Sequence, residues 1–351
     1  MNAVKKFINR RESTAIIFLF VLYGIVGLIN PTFMKSDNIM LCLNGATVYT
    51  LCAVGMAFVM FTGEIDASIG ATLGLSAAVV ATMVRDGQPF QLAVIVAVCI
   101  GLFIGLINGV GVAVLKVPSI IMTIGINSIV RGISYVYTGG AWVENVPKSF
   151  KSLSQKGVAG LSWMYIGTVI VIIAIYMLLA KTKRGRYFQA VGDNEDGAIH
   201  LGLPVTATRL LSFVICSVCA SLAAVVFVSR IGFVTPTSGN GYEMSAIAAC
   251  VIGGISLSGG IGNMIGATFG ALIMASISRI LVFLGFPSNY DNTITGILLI
   301  TIVVLDAIMQ HRNAEKARRE RLTARTETAT ENKAIGGNIN EREIEKKSFK
   351  I

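Results

Sequence analysis

Apolar residues in this chain run for about twenty positions at a time and are interrupted by short polar segments containing glycine or proline. About 20 apolar residues are what an α-helix needs to cross a bilayer, and only helices or closed barrels satisfy every backbone N–H and C=O there. On that basis the spans are 15–29, 43–62, 67–84, 91–115, 119–137, 162–180, 208–229, 244–257, 264–284 and 293–309. The eighth is too short to be a plain span. The pattern predicts an all-α fold, a polytopic transmembrane helical bundle of about ten spans including short or broken helices. It divides the chain into a cytoplasmic N-terminus at 1–14, a transmembrane domain at 15–309 and a charged cytoplasmic tail at 310–351. The tail has the composition of a solvated helix that fades into disorder. Lys5, Lys6, Arg10 and Arg11 before the first run resemble the start of a signal peptide, but no A-x-A cleavage site follows and the run ends in Asn30-Pro31. It is expected to remain as the first span.

Composition agrees with lipid: 54% of the residues are hydrophobic and 14% charged, against about a quarter charged in a soluble domain. Mean hydropathy is +0.73. A net charge of +10 would point to nucleic acid in a soluble protein. Here lysine and arginine sit at the ends of apolar runs and in the tail, with no clustered basic face, so they report topology and exclude a nucleic-acid surface. If the N-terminal cluster is inside, ten crossings return the C-terminus to the inside, where Arg312, Lys316, Arg318, Arg319 and Arg321 stand. The same count puts Lys181, Lys183, Arg184 and Arg186 inside and the 139–161 loop outside. Lys148, Lys151 and Lys156 in that loop dissent from the rule.

Enzyme chemistry is not visible. The six cysteines lie in apolar runs, where a free thiol acts as a small hydrophobe. Cys216 and Cys219 form a C-x-x-C within 210–228 that has no metal-ready neighbours. His200 and His311 stand apart from any cysteine or carboxylate cluster, so no metal site is expected. No G-x-x-x-x-G-K-[ST] occurs. The expectation is a transport subunit that binds no cofactor, with any ATP hydrolysis carried by a partner.

Polar residues inside spans are the default functional candidates, because burying them costs free energy that packing or function must offset. Asn44, Thr47, Asn108, Thr123, Asn127 and Arg131 are candidates for a substrate path. Thr123, Asn127 and Arg131 recur every four residues and share one face of the fifth span. Such a stripe serves equally as glue between helices. Arg279 is a similar candidate, or snorkels to the outer surface. Glu64 and Asp66 are expected in a solvated cytoplasmic turn, with Asp66 capping the next helix. Gly101, Gly105 and Gly109, like Gly266 and Gly270, let helices approach closely. The words Ile69-Gly70-Ala71-Thr72-Leu73-Gly74 and Ile265-Gly266-Ala267-Thr268-Phe269-Gly270 each follow a polar break, as an internal repeat running in parallel would.

The segment 181–209 carries a recognisable local signal. Asp193 or Asn194 can cap a short helix, Glu195 and Asp196 suit its N-terminus, and Gly202 with Pro204 ends it. A capped helix on the cytoplasmic face suits docking to another protein, and an ordinary loop helix fits as well.

At this loop the sequence resembles the ribose-type ABC sugar permeases. The resemblance rests on Thr182-Lys183-Arg184-Gly185-Arg186 through Gly192-Asp193-Asn194 to Gly202-Leu203. It rests also on Thr62-Gly63-Glu64-Ile65-Asp66-Ala67-Ser68-Ile69-Gly70 and on the run from Gly241-Tyr242-Glu243 to Ser258-Gly259-Gly260. Gly192-Asp193-Asn194, Thr138-Gly139-Gly140-Ala141-Trp142 and Ile231-Gly232-Phe233 are similar to the autoinducer-2 and rhamnose subgroup. The resemblance implies two permease chains, identical or paralogous, two ABC ATPase subunits inside and a soluble sugar-binding protein outside. It implies an ATPase-coupling loop of Gly192, Asp193, Asn194, Glu195, Gly197, Ala198, Leu201 and Gly202. Trp142, Glu144 and Glu243 would face the binding protein. A secondary transporter or facilitator is the rival reading, and a receptor or scaffold the third.

Overall fold

The computed structural model describes residues 11–155 and 157–287, with 290, 293–298, 300, 301, 303, 304, 308 and 315 in addition. The chain forms two compact units, 1–300 and 301–351. The described residues of the second unit are helical, and the rest of the expected tail lies outside the described residues.

In the first unit α1 spans Arg11–Ile29, four residues ahead of the expected start of the first span, and a 3-10 turn, Pro31–Met34, leads to α2 at Ser36–Phe61. Then follow α3 (Ile69–Arg85) and α4 (Phe90–Gly109), which continues through a π turn at Val110–Val114, and α5 (Ser119–Thr138). A short helix α6 (Lys148–Gln155) precedes α7 (Trp163–Lys181), α8 (Lys183–Asp193) and α9 (Glu195–His200). The bundle closes with α10 (Val205–Ile231), α11 (Tyr242–Ile252) and α12 (Met264–Phe283). Residues 293–298 and 300 are helical where the tenth span is expected. Among the described residues, α2, α4 with its π turn, α5, α10 and α12 are long and apolar enough to cross a membrane, and 15–29, α3, 163–177 and α11 are shorter apolar helices.

α2 and α10 form the centre. They are buried nearly all round through 47–61 and 212–229, the pattern of helices enclosed by others. The predicted glycine row packs α4 on α10: a Cβ on Gly105 would lie 2.6 Å from Val214 Cα, and one on Gly109 3.1 Å from Leu210 Cα. Close backbone approach of this kind is how membrane helices gain contact without a hydrophobic drive.

The 139–162 segment holds more structure than a loop: α6, and a hairpin pairing Gly157–Val158 with Leu161–Ser162. Ala159 and Gly160 turn the hairpin at φ 53 and 83, as a two-residue turn of this hand requires. Asn44 clamps the hairpin to α2. Its Nδ2 donates to Gly160 O and its Oδ1 accepts from Ser162 N, both at 2.9 Å.

The shortness of the eighth span has a structural reason. After α10 ends at Gly232, Val234 pairs with Val143, and the chain then turns into the bundle, where Gly239 lies against Gly70 and Gly74 of α3. α11 therefore starts within the bundle. Its 11 residues rise roughly 16 Å, about half of a bilayer core.

α11 lies on α12 because Gly253 meets Gly266 and Ala249 meets Gly270 backbone to backbone. Gly270→Val is expected to destabilise the protein by about 1–3 kcal/mol through overpacking, read as a lower thermal midpoint in detergent. An unchanged midpoint would show that this contact is not as close as described.

Candidate functional site

The end of the bundle carrying α8 and α9 is built around two interrupted turns, 62–68 between α2 and α3 and 253–263 between α11 and α12. Backbone groups freed at such breaks must find partners inside the protein. Ile65 N donates to Ser119 Oγ at 3.4 Å and Ala67 N to Thr123 Oγ1 at 3.0 Å. Gly260 N donates to Phe61 O at 3.0 Å, so one turn satisfies the other. Asp66 takes Ser68 N and Oγ at 2.8 and 2.6 Å and has no exposed surface. The cap residue of α3 is Ser68, which Asp66 braces from two residues before it, so Asp66 is neither the expected cap nor solvated: α4, α5 and α10 close over the turn. Asn108 Nδ2 extends this network by donating to Ser68 Oγ at 2.8 Å.

The α8–α9 segment docks on these turns. Gly192 sits against the Phe61 carbonyl and Gly260, where a Cβ would overlap the Phe61 oxygen. Asp193 is the last residue of α8, and Asn194 is the cap of α9, its Oδ1 accepting from Gly197 N at 2.8 Å. Glu195 and Asp196 follow in the first turn, and Gly202 at φ 71 takes the left-handed conformation just after the helix ends. Ala198 faces inward with Val191, Val205 and Leu203. Ile199 and Leu201 face out, 56% and 80% exposed.

One residue that the hydropathy reading passes over ties the segment to the bundle. Arg209 donates from Nη1 and Nη2 to Glu195 Oε1 and Oε2 at 3.2 and 2.9 Å. Its Nε stands 3.1 Å from Glu64 Oε1, an ion pair without hydrogen-bond alignment. Lys116 adds a looser contact to Glu195 at 3.7 Å. Hydrogen bonds from Arg209 hold the Glu195 carboxyl below the usual glutamate range.

The expected path residues part into two groups. Asn44 and Thr47 line a cavity of about 700 Å³ at the hairpin end, with Arg230, Arg279, Asp37 and the hairpin tip. Asn108 and Thr123 serve the interrupted turn, and Arg131 donates to Ser238 O at 2.7 Å, holding the inward-turning segment before α11. Asn127 lies between them with a buried Oδ1 that makes no hydrogen bond. The stripe on α5 does share a face, and that face is turned to the 62–68 turn and to the segment before α11 rather than to the cavity. Trp142 stacks on Phe233 at 5.5 Å and, like Glu144, is exposed at the hairpin end. Glu243 is not in an outer loop: it lies in the first turn of α11 inside the bundle, against Gly70, with Oε1 accepting from Gly241 N at 3.2 Å. Its Oε2 is buried. The six cysteines are free thiols, and Cys216 and Cys219 are buried.

A multi-pass bundle of apolar helices, with interrupted helices and a polar cavity opening at one end, defines a membrane transport protein. Residues 38–303 match the family described as the permease component of the branched-chain amino acid transport system, and the chain belongs to that family. It is 37% identical over 318 residues to the autoinducer 2 import system permease protein of Enterobacter sp. (strain 638), covering 89% of this chain and 93% of the relative. The corresponding proteins of Yersinia pestis (strain Pestoides F) and Salmonella typhi are also 37% identical, over 91% and 90% of this chain and 92% and 91% of theirs. No solved structure matches it.

The two arms of Arg209 are expected to differ in strength. A double-mutant cycle of Arg209→Gln with Glu64→Gln, read by thermal unfolding, should give a coupling of about 1–3 kcal/mol for this mostly buried pair. The half-exposed Glu195 arm should give less than about 1 kcal/mol. Glu195 is depressed, so its contribution is complete above the unfolded glutamate value of about 4.3 and is lost as pH falls through the lower folded value. Equal couplings, or no loss on acidification, would remove Arg209 from this role.

Proposed function

We propose that the chain is the membrane-spanning permease subunit of an ATP-binding cassette importer for a monosaccharide or sugar-like molecule of the autoinducer-2, rhamnose or ribose class. A solute-binding protein would deliver that molecule at the hairpin end, where Trp142 and Glu144 are exposed. ATPase subunits would dock at the other end on α8 and α9, and a second permease chain, identical or paralogous, would complete the pathway. Both termini would then be cytoplasmic, as the charge pattern of the sequence leads one to expect.

The observation that carries the reading is the junction at Gly192, Phe61 and Gly260. The short capped helix α9 and the residue after it present Ile199 and Leu201 to a partner, and the end of α8 that leads into it is seated on both interrupted turns through Gly192. A displacement of α9 would pass through Gly192 to α2 and the α11–α12 turn, and through Glu195 and Arg209 to Glu64. Alternating access follows: closure of the ATPase pair moves α9, the turns shift with it, and the bundle opens at the hairpin end to the loaded binding protein. The chain hydrolyses nothing itself in this scheme. The names of the relatives support the solute class.

In the reconstituted importer, Gly192→Val should abolish uptake while ATPase activity persists and the protein still inserts, because the valine cannot approach the Phe61 carbonyl. Gly202→Val, strained at φ 71, should uncouple in the same sense. In a Cys99→Ser background, His200→Cys should resist a membrane-impermeant thiol reagent in intact cells and react in inverted vesicles. Labelling from outside, or uptake driven by an ion gradient with no ATPase present, would overturn the proposal.

A further inference from the structure

The cavity at the hairpin end contains more hydrogen-bonding capacity than the protein uses. It is walled by the first three turns of α2, the end of α10, α12 and the hairpin tip. Four of its polar side chains are committed: Asn44 holds the hairpin with both ends of its amide, the Thr47 hydroxyl donates to Asn44 O at 2.7 Å, Ser154 Oγ donates to Ser229 Oγ at 2.9 Å and Ser162 Oγ accepts from Tyr165 N at 3.1 Å. The two arginines are not. Arg230 gives one N–H, from Nη1 to Gly45 O at 3.0 Å, and Arg279 has no hydrogen-bond partner among the described residues. No described carboxylate lies within ion-pairing distance of either. Asp37, the acid in the lining, is exposed in the first turn of α2.

A guanidinium carries five N–H donors and no acceptor. Two of them facing one concave space, both partly buried, make a site short of acceptor oxygens and positive in potential. A volume of about 700 Å³ falls in the range of small-molecule pockets.

We propose that this cavity is the first subsite for the transported solute, and that it takes a small, acceptor-rich polyol, neutral or anionic, through Arg279 and the free donors of Arg230 while excluding cations. The hairpin, held to α2 by Asn44, forms one of its walls. This rests on the transport reading above, and the test separates the two.

With Cys99 replaced by serine the other five cysteines are buried, so a cysteine introduced by Gln155→Cys on the rim reports on the cavity. In the complete reconstituted importer, an anionic sulfonatoethyl thiosulfonate should label it at least about tenfold faster than a cationic trimethylammonium reagent, each relative to a free thiol. Arg279→Gln, which gives up no hydrogen bond to the described residues, should cut that preference severalfold, and adding Arg230→Gln should abolish it. Ribose, rhamnose and autoinducer 2 are the probes: one of them should slow labelling with both arginines present and fail to do so in Arg279→Gln. No labelling at 155, equal rates for the two reagents, or labelling that none of the three probes slows would each overturn the proposal. Charge-selective, probe-protected labelling without ATP-driven uptake would uphold the subsite and sink the importer reading alone.

Discussion

Inside a bilayer an unpaired backbone N–H or C=O has no water to turn to, so every interruption of a helix must be satisfied by the protein itself. This bundle has two such interruptions at one end, and they meet that requirement largely through each other and their neighbours. Gly260 N closes on Phe61 O, and the hydroxyls of Ser119 and Thr123 and the carboxyl of Asp66 take the N–H groups of Ile65, Ala67 and Ser68. Backbones can come this close only where no Cβ intervenes, and Gly63, Gly192, Gly259 and Gly260 occupy those places.

Magnitudes rank what holds the junction. A buried donor or acceptor left without its partner costs about 1–3 kcal/mol, and several are satisfied here at once. The Arg209–Glu195 fork, with Glu195 at 39% side-chain exposure, contributes less because water and salt screen it. The backbone mesh thus sets where the turns lie, and Arg209 sets the angle at which α9 leaves them. Ala198, packed among Val191, Leu203 and Val205, keeps the short helix from detaching where its own length would not.

Hydropathy suffices to locate the spans because lipid rewards one property, although α2 starts at Ser36, seven residues ahead of the apolar run, and α11 ends at Ile252, five residues short of it. The cap was legible to within Asp193 or Asn194, between which the fold selects Asn194, and the stop at Gly202 was equally legible, since capping is local chemistry. Arg209 was not: a cation near the start of an apolar run reads as a topology marker, and only the fold brings it to Glu64 and Glu195, 145 and 14 residues away. Glu243 was misplaced for a related reason. A charged residue beside a glycine-rich break looks external until the chain is seen to turn inward at Ser238 and Gly239, where Arg131 and the missing side chains of Gly70 and Gly74 make room for it. The short eighth span carried that information, because a helix half the bilayer thickness must begin inside the bundle.

α10 joins the two ends mechanically. Its first turns carry Arg209, bound to the junction, and its last turn carries Arg230, bound to Gly45 and facing the cavity. Twenty-one helical steps separate them, roughly 31 Å. Between them α10 is gripped by the glycine row of α4 and by Gly55 of α2, contacts through backbone atoms that leave little room for bending. A closely packed helix of this kind moves as a rod. A tilt that shifts Arg209 against the interrupted turns must therefore shift Arg230 against α2, and with it the wall of the cavity. Its continuous run from Val205 to Ile231 contains neither glycine nor proline at which a sharp kink could uncouple the two ends.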